Sequence, residues 1–192
     1  SGQMRHFWQE RRVLVTGVTG VVGSWLVKDL LDKRASIIGL VWNGGTEADA
    51  HWNGNLRDVV IERGSLEDFH FLERVIREHH VDTVFHLGGQ AIVGTAHRHP
   101  LPTFEANIRG TYNLLEACRL HMDSVHRVII ASSDKAYGEP ANLPCSEEAP
   151  LQGRHPYAVS KSCADLIAQA YHHTYGLPVA IARCGNVYGG GD

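Results

Sequence analysis

The chain has 192 residues, 43% of them hydrophobic and 20% charged, with 18 Lys and Arg against 21 Asp and Glu. That is enough apolar material for a substantial core, and residues 1–192 read as one domain. A formal charge of -3 without any Lys/Arg-rich run argues against a nucleic-acid surface, and no apolar run reaches the roughly 18 residues of a membrane span.

At the start, Ser1–Met4 reads as an expression remnant, and Ser1–Arg12 lacks the apolar stretch of a secretory signal, so a cytoplasmic protein is expected. Val13–Thr16 is a β-branched run ending at Gly17, a buried parallel strand. Ser24–Lys33 follows with helical spacing of Trp25, Leu26, Leu30 and Leu31. Ile37–Val41 is a second strand, 42–57 a loop rich in Gly and Asn, and Val59–Ile61 a third strand. Leu66–His79 is helical, Val81–Leu87 a strand, and Thr103–Leu120 a long helix behind Pro100 and Pro102. Val128–Ala131 is a strand, and 138–156, with four of the seven prolines, an extended loop. Tyr157–Tyr175 is a helix stopped by Gly176 and Pro178, before a last strand at Val179–Ala182. Alternating strands and helices predict a doubly wound α/β fold, one Rossmann-type parallel sheet with helices on both faces.

Cys118, Cys145, Cys163 and Cys184 form no CxxC pair. Six of the thirteen histidines fall as His79-His80, His172-His173 and His97-x-His99, and none forms an HExxH. Reduced thiols and no metal centre are expected.

Between the first strand and helix lies Thr16-Gly17-Val18-Thr19-Gly20-Val21-Val22-Gly23. Gly17 permits the turn, Gly20 lets backbone approach a pyrophosphate, and Gly23 allows close helix–strand packing. The free N–H groups and positive end of the helix dipole then face the phosphates, making Gly17, Thr19, Gly20, Val21, Val22 and Gly23 candidate dinucleotide contacts. The acid expected about 20 residues on, for the adenosine ribose, is absent. Val41, Trp42 and Asn43 stand there with neither carboxylate nor basic side chain, which favours NAD over NADP only modestly. A purely structural glycine turn is the alternative.

The strand at 128–131 runs into Ser132-Ser133-Asp134-Lys135, at the strand end where doubly wound folds place their sites. Tyr157 and Lys161 are one helical turn apart. An ammonium beside a phenol predicts a lowered Tyr157 pKa, fitting the phenol to take a proton from an alcohol while hydride leaves for nicotinamide, with Ser133 bonding the same oxygen. Alternatively, Tyr157 and Lys161 are a surface pair.

The G-x-x-G-x-x-G spacing, joined to the Ser-Ser-Asp-Lys turn and YxxxK, resembles the extended branch of the short-chain dehydrogenase/reductase superfamily along nearly the whole chain. His86-Leu87-Gly88-Gly89-Gln90 resembles the family's HLAAQ-type loop, Asn107–Ala117 its NxxGTxNLLEA helix, and Arg183–Gly189 its RxxNVYG segment. The resemblance implies cofactor contacts from Leu87, Gly88, Gly89, Asn107, Tyr157 and Lys161. Asp134-Lys135 is similar to the acid–base pair of CDP-glucose 4,6-dehydratases, and Phe7-Trp8 and Gly23–Leu26 resemble segments of that same subgroup, whereas the Tyr137-Gly138 step is epimerase-like. It implies a nucleotide-sugar 4,6-dehydratase in which Ser133 and Tyr157 serve C4 oxidation. Lys135, if its pKa is depressed by burial or by Lys161, removes the C5 proton, and Asp134 protonates the leaving hydroxyl. Asp134-Lys135 as a local ion pair, a 4-epimerase or reductase, and a noncatalytic NAD-binding module are the alternatives. Relatives also imply a homodimer through the 103–120 and 157–175 helices, and a C-terminal substrate domain expected to be missing from this chain.

Overall fold

The computed structural model describes residues 6–43, 56–140 and 143–189. Five strands and two helices start it: β1 (Arg12–Thr16), α1 (Val21–Asp32), β2 (Ser36–Val41), β3 (Val59–Arg63), α2 (Phe69–Glu78), β4 (Thr83–His86) and β5 (Arg127–Ser133). Between β4 and β5 lie α3 (Val93–Arg98), α4 (Pro100–Phe104) and α5 (Gly110–Leu120); α6 (Pro156–Tyr175) and β6 (Val179–Cys184) complete the order. All described pairings are parallel, in the order β3-β2-β1-β4-β5-β6. The doubly wound α/β architecture read from the sequence is the observed one.

Strand burial explains the continuous apolar runs. Leu14, Ile38, Leu40, Val84, Val128 and Ile130 pack on one face with Leu72, Ile76, Leu114, Leu115 and Leu177. Val13, Val15, Ile37, Val41 and Val59 pack on the other face with Val27 and Leu30 of α1. A strand covered on both sides cannot alternate polar and apolar residues. The chain leaves β1 toward β2 and β3 on one side and returns at β4 on the other, so the β1/β4 boundary opens a crevice at the strand carboxyl ends.

Several boundaries differ from the expectation. Helix α1 begins at Val21, not Ser24, because Gly20 is its N-cap and offers no side chain to signal it. Helix α2 begins at Phe69, where the Asp68 carboxylate accepts from the Phe71 amide at 3.1 Å. The single helix expected at 103–120 is α4, a π-helical turn at Glu105–Arg109, and α5. Its start moves to Pro100, since proline suits a first helical turn. Helix α3, with few apolar residues, was not foreseen. The loop expected at 42–57 falls largely outside the described residues, apart from Trp42, Asn43 and a 3₁₀ turn at Leu56–Asp58.

All four cysteines are free. Burial pushes the Cys118 thiol up to about 12, leaving it unreactive. Among the described residues no helix is long and apolar enough to cross a membrane, and no group of three His, Cys, Asp or Glu could hold a metal ion.

Candidate active site

The glycine bend is built by contact rather than by flexibility alone. Gly17 has φ +72°, and a Cβ there would lie 2.8 Å from the Gly88 nitrogen on the β4 loop. A Cβ on Gly23 would lie 2.0 Å from the Gly17 carbonyl oxygen, whereas one on Gly20 would meet only that oxygen, at 3.4 Å. Gly17 and Gly23 therefore set the packing, and Gly20 faces open space. No side chain caps α1, and its first turn carries no acid. The amides at Val21 and Val22 precede the first helical hydrogen bond, from the Ser24 nitrogen to the Gly20 carbonyl. Such a cradle fits the pyrophosphate of a dinucleotide.

Beside it lies a cavity of about 430 Å³ lined by Thr16, Gly17 and Thr19, by Leu40 and Trp42 at the end of β2, by Gly64–Glu67 after β3, and by Gly88–Gln90. Ser65, Leu66 and Glu67 were not singled out as site residues from the sequence; their position after parallel strand β3 is the signal that could have found them. Among the described lining residues Glu67 is acidic and none is basic.

Behind the cradle, His86 is 3% exposed. Its Nδ1 lies 2.7 Å from Thr16 Oγ1 and its Nε2 lies 3.0 Å from Thr111 Oγ1. Burial, with the Lys161 charge nearby, pushes its pKa down to about 3 from an ordinary 6.5. Above pH 6.5 the ring is neutral in both folded and unfolded chains. Below it, the unfolded chain takes a proton that the folded one refuses, so stability falls as pH drops from 6.5 toward 3, at roughly 1.4 kcal/mol per pH unit. Urea unfolding should therefore show about 2 kcal/mol less stability at pH 5 than at pH 7 from this group. His86→Asn should flatten that slope; an unchanged slope would remove His86 as its cause.

At the β5 end, Ser133 and Tyr157 are neighbours. The Ser133 hydroxyl donates to Asp134 Oδ1 at 3.3 Å and accepts from the Lys135 amide at 3.1 Å, capping the 3₁₀ turn Asp134–Tyr137. Lys161 Nζ stands 6.0 Å from the Tyr157 ring centroid and donates to the Ala131 carbonyl at 3.1 Å. The expected lowering of the Tyr157 pKa is not what the geometry gives. Burial pushes the phenol up, the neighbouring Ser133 hydroxyl pulls it down, and the Asp134 and Cys184 charges push it up further, for a net rise. Burial also lowers Lys161. Its ammonium donates to a backbone carbonyl and is not among the groups that shift the phenol, so the helical spacing alone overstated its effect. Cys184 was likewise not anticipated as a neighbour of this pair.

Asp134 and Lys135 form an ion pair at 3.5 Å, with side chains 45% and 50% exposed. Burial, one of the two conditions under which Lys135 would act as a base, is thus absent. Both line a cavity of about 640 Å³ together with Tyr137, Glu147 and Arg183. Asn107 holds the remaining loop. Its amide Nδ2 donates to the Gln90 carbonyl and Ser160 Oγ, both at 3.0 Å, and its Oδ1 accepts from the Gln90 nitrogen at 2.8 Å. That join brings Leu87–Gly89 against α6, the helix that carries Tyr157 and Lys161.

A family model described as GDP-mannose 4,6 dehydratase matches residues 14–191. A CDP-glucose 4,6-dehydratase from Salmonella typhimurium is 33% identical over 98% of this chain and 55% of its own length. Among solved structures, a dTDP-glucose 4,6-dehydratase from Streptomyces venezuelae with NAD bound superimposes with TM-score 0.83 at 33% identity, over 93% of this chain and 56% of that one. A UDP-glucose 4-epimerase from Thermus thermophilus in complex with NAD does so with TM-score 0.81 at 35% identity, over the same shares. The chain spans about half the length of the curated relatives it matches.

Proposed function

The chain belongs to the extended short-chain dehydrogenase/reductase family, in its epimerase/dehydratase branch, and from that membership we propose that it holds NAD and acts as a sugar-nucleotide 4,6-dehydratase. The observation that carries this reading is the Asp134-Lys135 pair opening onto the 640 Å³ cavity directly after the Ser133–Tyr157 pair. Gly17–Gly23 with Thr19, Val21 and Val22 would hold the pyrophosphate, Leu87–Gly89 and Asn107 would border the nicotinamide half, and Tyr157 and Lys161 would complete its site. The lack of any basic lining residue near Trp42, among the described residues, favours NAD over its 2′-phosphorylated form.

NAD, when bound, supplies the acceptor for the C4 hydride and returns a hydride to C6. Tyr157 would take the proton of the C4 hydroxyl once the positive charge of a bound nicotinamide offsets the rise that burial gives its phenol, while the Ser133 hydroxyl bonds the oxygen as it becomes a ketone. Lys161 anchors the end of β5 through Ala131. The ketone acidifies the C5 proton, which Lys135 removes, Asp134 donates a proton to the departing C6 hydroxyl, and Lys135 returns its proton to C5 as hydride reaches C6. Because Lys135 is half-exposed and ion-paired, both roles require the sugar to displace water, so that the ammonium passes its proton to the Asp134 carboxylate and leaves a neutral amine beside a neutral acid. The same observation favours the second reading, a 4-epimerase that uses Ser133, Tyr157 and Lys161 and leaves the pair idle. A second copy docking on the exposed Leu101, Tyr112, Leu166 and Tyr175 of α4, α5 and α6 is part of the proposal.

The test is product mass after incubation with CDP-, dTDP-, GDP- and UDP-sugars and NAD. A dehydratase yields a product lighter by one water, and Asp134→Asn should cut that yield by about 10²-fold or more. An isobaric epimer, insensitive to Asp134→Asn, supports the second reading. No turnover of any sugar alongside retained NAD binding leaves a noncatalytic binding module.

A further inference from the structure

The buried contacts around His86 have only one proton arrangement. Thr111 Oγ1 lies 2.7 Å from the Asn107 carbonyl oxygen, which can only accept, so the hydroxyl spends its proton there. Facing His86 Nε2, Thr111 must then accept, which places a proton on Nε2 and leaves Nδ1 bare. Nδ1 accepts from the Thr16 hydroxyl, and Thr16 Oγ1 in turn accepts from the Gly88 amide at 2.9 Å. The directed line runs from Gly88 through Thr16, His86 and Thr111 to the carbonyl of Asn107. It ends in the π-helical turn, at the residue whose side chain grips Gln90 and Ser160.

We propose that His86, fixed as the neutral Nε2–H tautomer, is a positioning residue that ties the glycine bend to the helix bearing Tyr157 and Lys161, holding the Leu87–Gln90 loop from both ends. One end is the Gly88 amide on Thr16, beneath the bend; the other is Gln90, clasped by Asn107. A Cβ on Gly89 would lie 2.5 Å from Asn107 Oδ1, so only glycine fits there while that clasp is closed. A second proton on His86 would force the Thr16 hydroxyl to surrender its donor bond, breaking the line at its centre. The cofactor consequence rests on the NAD reading above; the hydrogen-bond line does not.

Three measurements test this. Nitrogen NMR of the unaltered chain should show His86 as Nε2–H with Nδ1 unprotonated; the opposite tautomer, or a mixture, overturns the proposal. Thr111→Val removes the acceptor and keeps the shape, whereas Thr111→Ser keeps the hydroxyl. In Thr111→Val the Gly88 and Gln90 amides should exchange with solvent about tenfold faster while β5 amides keep their rates, and Thr111→Ser should restore protection. Equal exchange at Gly88 and Gln90 in all three proteins overturns it. NAD affinity, followed by tryptophan fluorescence, should drop about tenfold in Thr111→Val and recover in Thr111→Ser. A chain that never binds NAD would refute the cofactor reading, and tautomer and exchange would still decide the relay.

Discussion

Replacing Asp165 with alanine should destabilise the chain by about 3–5 kcal/mol, the cost of leaving a partly buried guanidinium without its carboxylate. Asp165 is fully buried. It accepts from Ser132 at 2.7 Å and Gln169 at 2.7 Å, and from Arg183 through Nε at 2.8 Å and Nη2 at 3.1 Å. Burial raises its pKa, but those hydrogen bonds and the Arg183 charge outweigh it, and the group sits below the ordinary carboxylate value. Arg183 also donates to the Tyr137 hydroxyl at 2.8 Å and to the Glu147 carbonyl at 2.7 Å. One ion pair therefore joins α6, β5, edge strand β6, the turn after β5 and the 138–156 loop. Urea denaturation should show the loss as a lower midpoint at unchanged slope. Adding Arg183→Met to Asp165→Ala should recover part of it, since no charge is then left uncompensated. Additive losses in the double variant would show that the pair is not the strut described.

Gly23→Ala should be nearly as damaging, against its local propensity. In a helix interior alanine is ordinarily favoured over glycine by about 1 kcal/mol. Here its methyl would lie 2.0 Å from the Gly17 carbonyl oxygen, with the Gly17 carbonyl carbon at 2.9 Å. Backbone, not a flexible side chain, must move. The net expectation is a loss of about 2 kcal/mol or more, with the bend displaced from the cradle. Gly20→Ala is the contrasting case: with its nearest neighbour at 3.4 Å and φ of -75°, it should fold normally yet bind NAD poorly, because the methyl occupies the phosphate approach. Thermal unfolding and NAD titration of the two variants separate the roles; equal behaviour would contradict the assignment.

Much of the fold was legible because parallel strands buried on both faces read as unbroken apolar runs, as at Val13–Thr16, Ile37–Val41 and Val128–Ala131. What escaped was what depends on contacts distant in sequence. Asp165 is one acid on an amphipathic helix until β6 brings Arg183 against it. The helix α3, carrying only Val93 and Ala96 as apolar residues, has no periodicity to detect. Proline marks the start of α4, but nothing local marks the π-helical turn whose Asn107 joins two segments. At the site, spacing correctly placed Tyr157 and Lys161 on one helix. Burial then decided the pKa direction, and burial is a property of the packed chain. Lys135 shows the converse, since its neighbours in sequence did not enclose it.

The central claim is that the glycine bend seats a dinucleotide whose nicotinamide ring reaches Tyr157. NMR of the chain with NAD tests it most directly. The account predicts shifted amides at Val21 and Val22 and cross-relaxation between nicotinamide and Tyr157 ring protons. Unmoved amides at the bend, or a nicotinamide whose contacts lie away from Tyr157, would contradict it.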